Sequence, residues 1–359
     1  MSKRFEKALD LLKKHNGDYI LITDEVSVRY LSGFLSSNVV LLFNAEQGRK
    51  FLFTDFRYKT SAENFCKTNG WNFVEVKQGK FAEKINGVIE KNTKILFQDD
   101  KLSVAEFNSY KKNLENVELI PAGKGIGAIF YEKTAEEISL IKKAAEISDI
   151  SFEDWLKKLE IGMSEFEAAR TLDVICLQNG SEKAAFDTIV LFGENTAFPH
   201  GIPSRGRKLQ KGDFVLCDFG SVIDGFCSDM TRTVCFGEPK AEHKKIYEIV
   251  LQAQSIGVEN VKAGVKAKDI DEKVRGFIKN AGYGDYFGHG TGHSVGLCVH
   301  ENPAVSGKNE TILQAGMVIT IEPGIYVPDV VGVRVEDMIV VGEKSCEIIT
   351  KTAKNFLTL

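Results

Sequence analysis

The stretch that decides the fold of this chain is FVLCDFGSVIDGFCSDMTRTVCF, residues 214–236. At its centre, Asp224 and Gly225 favour a two-residue type I′ turn, because both central positions need a positive φ, which Asp tolerates and Gly favours. The turn folds the flanking apolar runs into an antiparallel hairpin, in which we expect Phe226 to face Ile223.

The same register brings two carboxylates together. Asp229 is expected opposite Gly220, which leaves Asp218 one diagonal step away on the same face. Two unpaired carboxylates in a partly buried sheet are costly, so the pair predicts either a raised pKa or a bound cation. We favour a cation, because the later part of the chain supplies further ligands of the right kind.

Composition excludes several classes of function. The chain has 359 residues, of which 43% are hydrophobic and 27% charged, as in an ordinary globular protein of about two domains. Its net charge of -4 comes from 46 basic and 50 acidic residues with no basic block, which argues against nucleic acid as a partner. No apolar stretch approaches the roughly 18 residues of a membrane span, and the charged amphipathic start is unlike a signal peptide. We therefore expect a cytoplasmic protein with no membrane partner.

Two domains are expected from the order of patterns along the chain. Residues 1–124 alternate between strand-like and helix-like segments, which predicts an α/β domain. The segment PAGKGIGA, residues 121–128, contains a proline and three glycines and marks the boundary. Residues 125–359 form the second domain.

An internal repeat appears when the sequence is shifted by 102 positions. Residues 161–180 then align with residues 263–282, and each segment reads as a glycine turn, a helix and a glycine stop. Each is followed by apolar strand-like sequence that contains a histidine. The pattern predicts an α+β domain made of two helix-plus-hairpin units about a pseudo-twofold axis.

A second acidic pair and a histidine cluster follow. In HGTGH, residues 289–293, the glycines make a helix improbable and let the backbone approach a neighbour closely. A loop centred on Asp329 would bring Glu322 and Glu336 opposite each other, with Pro323 ending the first ladder.

His293 and His300 fall on opposite faces of an ideal strand. If both line one site, the alternation predicts a bulge near Gly296.

Two Asp, two Glu and one His form an oxygen-rich set that suits one or two divalent ions such as Mn²⁺, Co²⁺, Fe²⁺ or Zn²⁺. Simpler interpretations exist for each piece: the aspartates as turn caps, the histidines as exposed loop residues, Glu322 facing solvent, and Arg334 with Glu336 as a cross-strand ion pair. All of them would have to hold together for the metal site to be absent.

Five motifs carry a family resemblance: D-F-G, S-D-M-T-R-T, H-G-T-G-H, I-E-P-G and R-V-E-D. Together they resemble the pita-bread metallopeptidases, in the branch of Xaa-Pro aminopeptidases (aminopeptidase P) and Xaa-Pro dipeptidases (prolidases). The resemblance covers nearly the whole chain, because TDEVSVRYLSGF and LFTDFRY are similar to a creatinase-type N-terminal domain. It implies a C-terminal pita-bread domain, a smaller α/β creatinase-like domain and a homodimer.

The resemblance also implies site residues and a cofactor of two divalent metal ions, with Mn²⁺ favoured and Co²⁺, Zn²⁺ or Fe²⁺ as alternatives. The implied metal ligands are Asp218, Asp229, His293, Glu322 and Glu336, with Asp229 and Glu336 bridging the ions. The implied catalytic residues are Glu322, as the base that takes the water proton to leave a metal-bound hydroxide, His200, which stabilises the tetrahedral intermediate, and His300, which contacts the substrate near the scissile bond. The resemblance also implies His289 at the mouth of the site and Arg334 as the residue that holds a ligand carboxylate or a neighbouring chain segment.

The implied substrates are peptides with proline at the second position. Prolidases often carry an arginine where this chain has Ala304, placed to hold the free carboxylate of a dipeptide. Its loss favours an Xaa-Pro aminopeptidase over a strict dipeptidase. A metal-free creatinase-like amidinohydrolase and a non-catalytic binding homologue are further alternatives, and the complete ligand set argues against both.

Overall fold

The computed structural model describes residues 3–77 and 79–359. The chain divides into two compact units, Met1–Phe130 and Tyr131–Leu359. The predicted boundary between residues 124 and 125 lies within the last helix of the first unit. In the described residues, no helix has both the length and the apolar character needed to cross a membrane.

The first unit contains six strands and six α-helices among its described residues. In chain order they are α1 (Lys3–His15), β1 (Tyr19–Ile22), α2 (Glu25–Ser32), β2 (Val39–Asn44), β3 (Arg49–Asp55), α3 (Lys59–Asn69), β4 (Asn72–Val76), α4 (Phe81–Asn86), β5 (Thr93–Phe97), α5 (Val104–Asn113), β6 (Val117–Pro121) and α6 (Gly123–Ala128).

These strands form one mixed sheet in the order β4-β3-β2-β1-β5-β6. Strands β2 and β3 form a hairpin, with Asn44 opposite Arg49. Helix α4 ends at Asn86, and turns follow before Asn92, whose φ is 62°. The unit has the α/β character that its strand and helix patterns predicted.

The second unit carries the remaining elements. In chain order they are α7 (Ala135–Leu156), α8 (Glu165–Gln178), β7 (Ile189–Phe192), β8 (Asp213–Phe219), β9 (Val222–Ile223), β10 (Phe226–Cys227), β11 (Met230–Phe236), α9 (Ala241–Glu259), α10 (Ala267–Asn280), β12 (Gly292–Ser294), β13 (Glu301–Val305), β14 (Val318–Ile321), β15 (Gly324–Val327), β16 (Val331–Arg334), β17 (Asp337–Val341) and β18 (Cys346–Ile348).

The predicted duplication is confirmed in this unit. Helices α8 and α10 start and stop at positions exactly 102 residues apart. The glycines that precede them, Gly162 and Gly264, have φ of 88° and 87°, a left-handed conformation that glycine adopts at little cost. The strand order β7-β8-β11 in one sheet is repeated as β12-β14-β17 in the other.

The helices cover one face of each sheet and leave the other for polar side chains. Val215, Cys217 and Phe219 of β8 pack in a buried cluster with residues of α7 and α8. Asp218 lies between them in sequence and so projects from the opposite face. Ile319 and Ile321 of β14 likewise pack in an apolar cluster with residues of α10. The alternation therefore points acidic side chains of both hairpins away from the helices.

Candidate active site

The turn at the centre of the first hairpin is the one expected from its sequence. Asp224 and Gly225 have φ of 44° and 68°, as a type I′ turn requires. Ile223 pairs with Phe226, which confirms the predicted register.

The same register continues through the hairpin to the acidic residues. Asp218 lies opposite Thr231 and Phe219 opposite Met230. Gly220 and Asp229 come next on the two sides of the hairpin, just outside the paired residues. A Cβ at Gly220 would lie 2.0 Å from the backbone oxygen of Ser228, so only glycine fits beside Asp229. The relative exposure of Asp218 is 9% and that of Asp229 is 4%, so both carboxylates are buried.

The second hairpin also has its predicted register. Asp329 at its tip has a φ of 59°, and Ile321 pairs with Asp337 while Gly324 pairs with Arg334. Between those two pairs, the ladder is interrupted at Glu322-Pro323, as the missing amide hydrogen of proline requires. Glu322 and Glu336 both lie within this interruption, one on each side of the hairpin.

His293 reaches the carboxylates from β12, which pairs with β14 through Ser294 and Ile319. The preceding Gly292 permits this approach, because a Cβ there would lie 2.0 Å from the backbone oxygen of Thr320. His293 Nε2 lies 3.2 Å from Glu322 Oε1 and 3.5 Å from Asp229 Oδ2. A side chain on the second half of the unit thus contacts acidic residues of both hairpins.

The donor set fits a divalent metal. Asp229, His293 and Glu336 each offer a ligand atom, and these atoms lie within 4.8 Å of one another. Asp218 Oδ1 and Glu336 Oε1 are buried without a hydrogen-bond partner among the described residues. Such orphaned carboxylate oxygens are costly unless a cation satisfies them. Oxygen donors with one imidazole suit Mn²⁺, Co²⁺, Fe²⁺ or Zn²⁺.

The pKa values of these side chains reflect the crowding of negative charge in the cluster. Burial and the charges of Glu336 and Asp218 raise the pKa of Asp229 well above its usual range, and burial with the charges of Glu322 and Asp218 does so for Glu336. Burial alone would lower the pKa of His293, but the hydrogen bond and charge of Glu322 raise it to about 9. A divalent cation among these carboxylates would offset their negative charge.

Arg334 connects the cluster to its surroundings. Its guanidinium contacts Asp218 Oδ2, and its Nε donates to Thr231 Oγ1 over 2.9 Å. Its Nη1 donates to the hydroxyl of Tyr326 over 2.8 Å and to the backbone oxygen of Pro199 over 3.2 Å. At 3% exposure, Arg334 is a buried cation that contacts Asp218, and its charge opposes the rise in the pKa of Asp229 and of Glu336.

Two polar neighbours of this network were not predicted from the sequence. Thr231 donates its hydroxyl to Glu336 Oε2 over 2.8 Å, and the hydroxyl of Tyr326 lies 2.8 Å from His289 Nε2. Thr231 carried a usable signal, because the predicted hairpin register already placed it opposite Asp218. Tyr326 carried none, because its role depends on the approach of His289 from a distant segment.

A cavity of about 290 Å³ gathers all the predicted site residues. His300 lies beside His293, with ring centroids 4.5 Å apart, whereas the exposed His200 enters from the segment after β7. The wall includes Ala304, together with Phe186, Ile189 and Pro199 as apolar members. The residues of the predicted site that line it are His200, Asp218, Asp229, His289, His293, His300, Glu322, Arg334 and Glu336.

A larger cavity, of about 920 Å³, lies in the first unit and contains none of these residues.

The predicted bulge near Gly296 is wrong. The register shift instead falls between Gly292 and Ser294, where β12 pairs with β13. His293 and His300 do not share a continuous strand, because the chain leaves β12 after Ser294 and turns before β13 begins. Strand alternation therefore does not govern which way His300 points.

The duplicated helix-and-hairpin units around a buried acidic cluster define a pita-bread metalloenzyme. Residues 139–343 match the model of metallopeptidase family M24, and residues 4–129 match the Creatinase/Prolidase N-terminal domain. The chain belongs to family M24 and is a metallopeptidase, with the α+β fold and creatinase-type first domain that its motifs implied.

Full-length relatives agree with this assignment. The chain is 36% identical to a Xaa-Pro dipeptidase of Pyrococcus furiosus, over 99% of this chain and 100% of the relative. Among solved structures, a Xaa-Pro dipeptidase from Bacillus anthracis has a TM-score of 0.92 at 37% identity, covering 99% of both chains. An X-Pro aminopeptidase from Thermotoga maritima has a TM-score of 0.88 at 33% identity, covering 99% of this chain and 100% of that one.

Proposed function

We propose that this metallopeptidase is a Xaa-Pro dipeptidase, which hydrolyses the bond between an N-terminal residue and a C-terminal proline. The observation that carries the proposal is the gathering of four carboxylates and His293 around one cavity with two orphaned carboxylate oxygens. Its support from outside the site is the full-length similarity to proteins named Xaa-Pro dipeptidase.

In this proposal the cavity holds two divalent ions, with Mn²⁺ favoured. Bound ions of this kind polarise the scissile carbonyl and lower the pKa of water, so that a nucleophile is available at neutral pH. We assign Glu322, whose Oε1 lies 3.2 Å from His293 Nε2 among the ligands, as the acceptor for the water proton. The ligands we assign are Asp218, Asp229, His293, Glu322 and Glu336.

We assign further roles to the histidines at the rim of the cavity. His200 stabilises the oxyanion that forms as the substrate carbonyl becomes tetrahedral. His300 contacts the substrate beside the scissile bond, and burial followed by the nearby charge of His293 lowers its pKa, which favours a neutral imidazole. Arg334 keeps Asp218 oriented, and His289, bonded to Tyr326, borders the cavity mouth.

An Xaa-Pro aminopeptidase acting on longer peptides is the second candidate, and the sequence had favoured it. One specific observation supports it: Ala304 lines the cavity, where an arginine would otherwise hold a dipeptide carboxylate. The named relatives carry more weight for dipeptides, and the T. maritima protein is the counterexample. A cytoplasmic homodimer remains our prediction for the assembly.

The deciding experiment compares cleavage of Gly-Pro with cleavage of Gly-Pro-Ala, with bound metal quantified on the same sample. A Xaa-Pro dipeptidase cleaves Gly-Pro and leaves the tripeptide intact. Faster cleavage of the tripeptide would favour the aminopeptidase. A metal-loaded protein that cleaves neither peptide would overturn both candidates.

A further inference from the structure

The side chain of His200 makes no hydrogen bond or ion pair among the described residues, and it is exposed to solvent. Its position in the cavity is therefore set by the backbone that carries it. That backbone is the segment from Gly193 to Ser204, which begins where β7 ends at Phe192 and returns to the start of α8.

Both ends of this segment are held by one carboxylate. Glu165, the first residue of α8, accepts the backbone N–H of Phe192 on Oε1 over 2.8 Å and that of Ser204 on Oε2 over 2.9 Å. Asn195, inside the segment, donates its side-chain amide to the same two oxygens over 3.0 and 3.2 Å. Glu165 thus closes the segment into a loop at its base.

The carboxylate of Glu165 is buried, although burying a charged group is costly. Glu165 has a relative exposure of 0%, and burial raises its pKa although the hydrogen bonds from Phe192, Ser204 and Asn195 oppose that shift. A buried carboxylate costs free energy that a neutral or apolar side chain would avoid. Its chemistry explains the choice, because an ionised carboxylate accepts hydrogen bonds on both oxygens, whereas the amide of glutamine accepts on only one.

Other contacts fix the middle of the loop. Thr196 accepts the backbone N–H of Gly332 over 2.7 Å, and a Cβ at Gly332 would lie 1.9 Å from the backbone oxygen of Thr196. The backbone oxygen of Pro199, next to His200, accepts from Arg334 over 3.2 Å. The middle of the loop is therefore fixed by contacts with the second hairpin, and the base of the loop is closed by Glu165.

We propose that Glu165 is a positioning residue, which sets the place of the His200 imidazole by closing the base of the loop that carries it. This inference rests on the proposed function for the role of His200. It requires no contact between Glu165 and the substrate.

The test is Glu165→Gln, which keeps the volume of the side chain and turns one acceptor into a donor. An N–H donor at the loop base then faces an N–H, the loop shifts, and kcat for the Xaa-Pro substrate falls about 10- to 100-fold, because a displacement of about 1 Å costs that much. Metal content stays at the wild-type level, since the assigned ligands lie on other segments. A kcat within twofold of wild type would overturn the proposal.

A double-mutant cycle separates positioning from a general loss of structure. Against a His200→Ala background, adding Glu165→Gln causes less than a twofold further fall in kcat, because the group that Glu165 positions is already gone. An equal fall in both backgrounds would refute a role through His200. If wild type cleaves no Xaa-Pro peptide, or His200→Ala has full activity, the proposed function fails instead.

Hydrogen exchange gives a readout that does not depend on activity. Amides of residues 193–204 exchange faster in Glu165→Gln than in wild type, while those of α10 are unchanged. Unchanged exchange in the loop would overturn the proposal.

The matched control is Asp173→Asn, a carboxylate-to-amide change on the same helix that contacts Thr188 before β7. It leaves kcat and loop exchange within twofold of wild type, and a fall as large as that of Glu165→Gln would overturn the proposal. If Glu165→Gln does not fold, Asn195→Ala replaces it, with a smaller fall in kcat that also disappears in the His200→Ala background. If Asn195→Ala lowers kcat equally in the wild-type and His200→Ala backgrounds, the proposal is refuted.

Discussion

The two halves of the duplicated unit share one topology but hold different chemistry. Each half places a helix, α8 or α10, before a short strand that pairs with the first strand of an acidic hairpin. The first hairpin contributes two aspartates and the second two glutamates. Up to this point the halves are equivalent, and the carboxylates project from the faces that the helices leave free.

The histidines break the equivalence. His293 lies within β12, so strand pairing carries it to within 3.2 Å of Glu322. His200 comes eight residues after the end of β7, in a loop, and its imidazole is exposed at the cavity. A strand thus holds one histidine among the acids, and a loop holds the other at the rim. The duplication supplied the scaffold and the acidic pairs, and the two halves differ in where they place a histidine.

Metal removal is the largest expected perturbation, because it acts on the acids of both halves at once. Dialysis against a chelator should abolish peptidase activity and lower Tm by several degrees, since an ion that binds only the folded state stabilises it. Mn²⁺ added back should restore both, as measured by Gly-Pro hydrolysis and thermal unfolding. Full activity in protein shown to be free of metal would contradict the metal site.

Substitution of Glu322 comes next, because it removes charge from the second half alone. Glu322→Gln should keep the fold and lose roughly 10³-fold or more in kcat, because a proton acceptor and a ligand charge disappear together. Circular dichroism and steady-state kinetics measure the two effects. Glu343→Gln, on the exposed turn after β17, is the control and should behave as wild type. Near-normal turnover in Glu322→Gln would remove this residue from the mechanism.

The two histidines should then separate by metal content. His200→Ala should retain bound metal and lower kcat by about 10²-fold, the typical effect of losing one stabilising donor. His293→Ala should lose metal as well as activity, because its imidazole belongs to the group of converging donors. Metal analysis on both variants provides the measurement. If His200→Ala loses as much metal as His293→Ala, the distinction between a histidine at the cavity rim and one among the metal ligands is wrong.

The smallest expected effect concerns the length of the substrate. Ala304→Arg should raise the preference for Gly-Pro over Gly-Pro-Ala by about tenfold, because a guanidinium pairs with the free carboxylate of a dipeptide. The ratio of kcat/KM for the two peptides measures this. Ala304→Met adds similar bulk without charge and should not change the ratio in that direction. If both variants shift the ratio equally, the cause is bulk and not charge.

Local chemistry made much of the fold predictable. The Asp224-Gly225 turn determined the register of the first hairpin, because a type I′ turn admits few residue pairs and strand alternation then assigns every face. The glycines around 162 and 264 marked the ends of equivalent segments. In each case the deciding interaction lies within a few residues of the pattern that reveals it.

The wrong prediction and the missed contacts depend instead on how distant parts of the chain are arranged. The bulge near Gly296 was inferred from alternation across a segment that is not one strand. Neither the contact of Tyr326 with His289 nor the hydrogen bonds of Glu165 to both ends of the loop can be recognised from a local sequence pattern, because each joins segments that are distant along the chain. Such contacts form only when whole elements pack together.

By itself, the sequence determined the acidic hairpins and the repeated helices, because turn geometry and side-chain alternation are local, and its motifs predicted a donor set through a family resemblance. Only the tertiary structure decided how close the donors come, which oxygens are left without a partner, and which histidine lies among the acids and which at the rim. These depend on the packing of the two halves against each other, where close contacts between distant residues replace local preference.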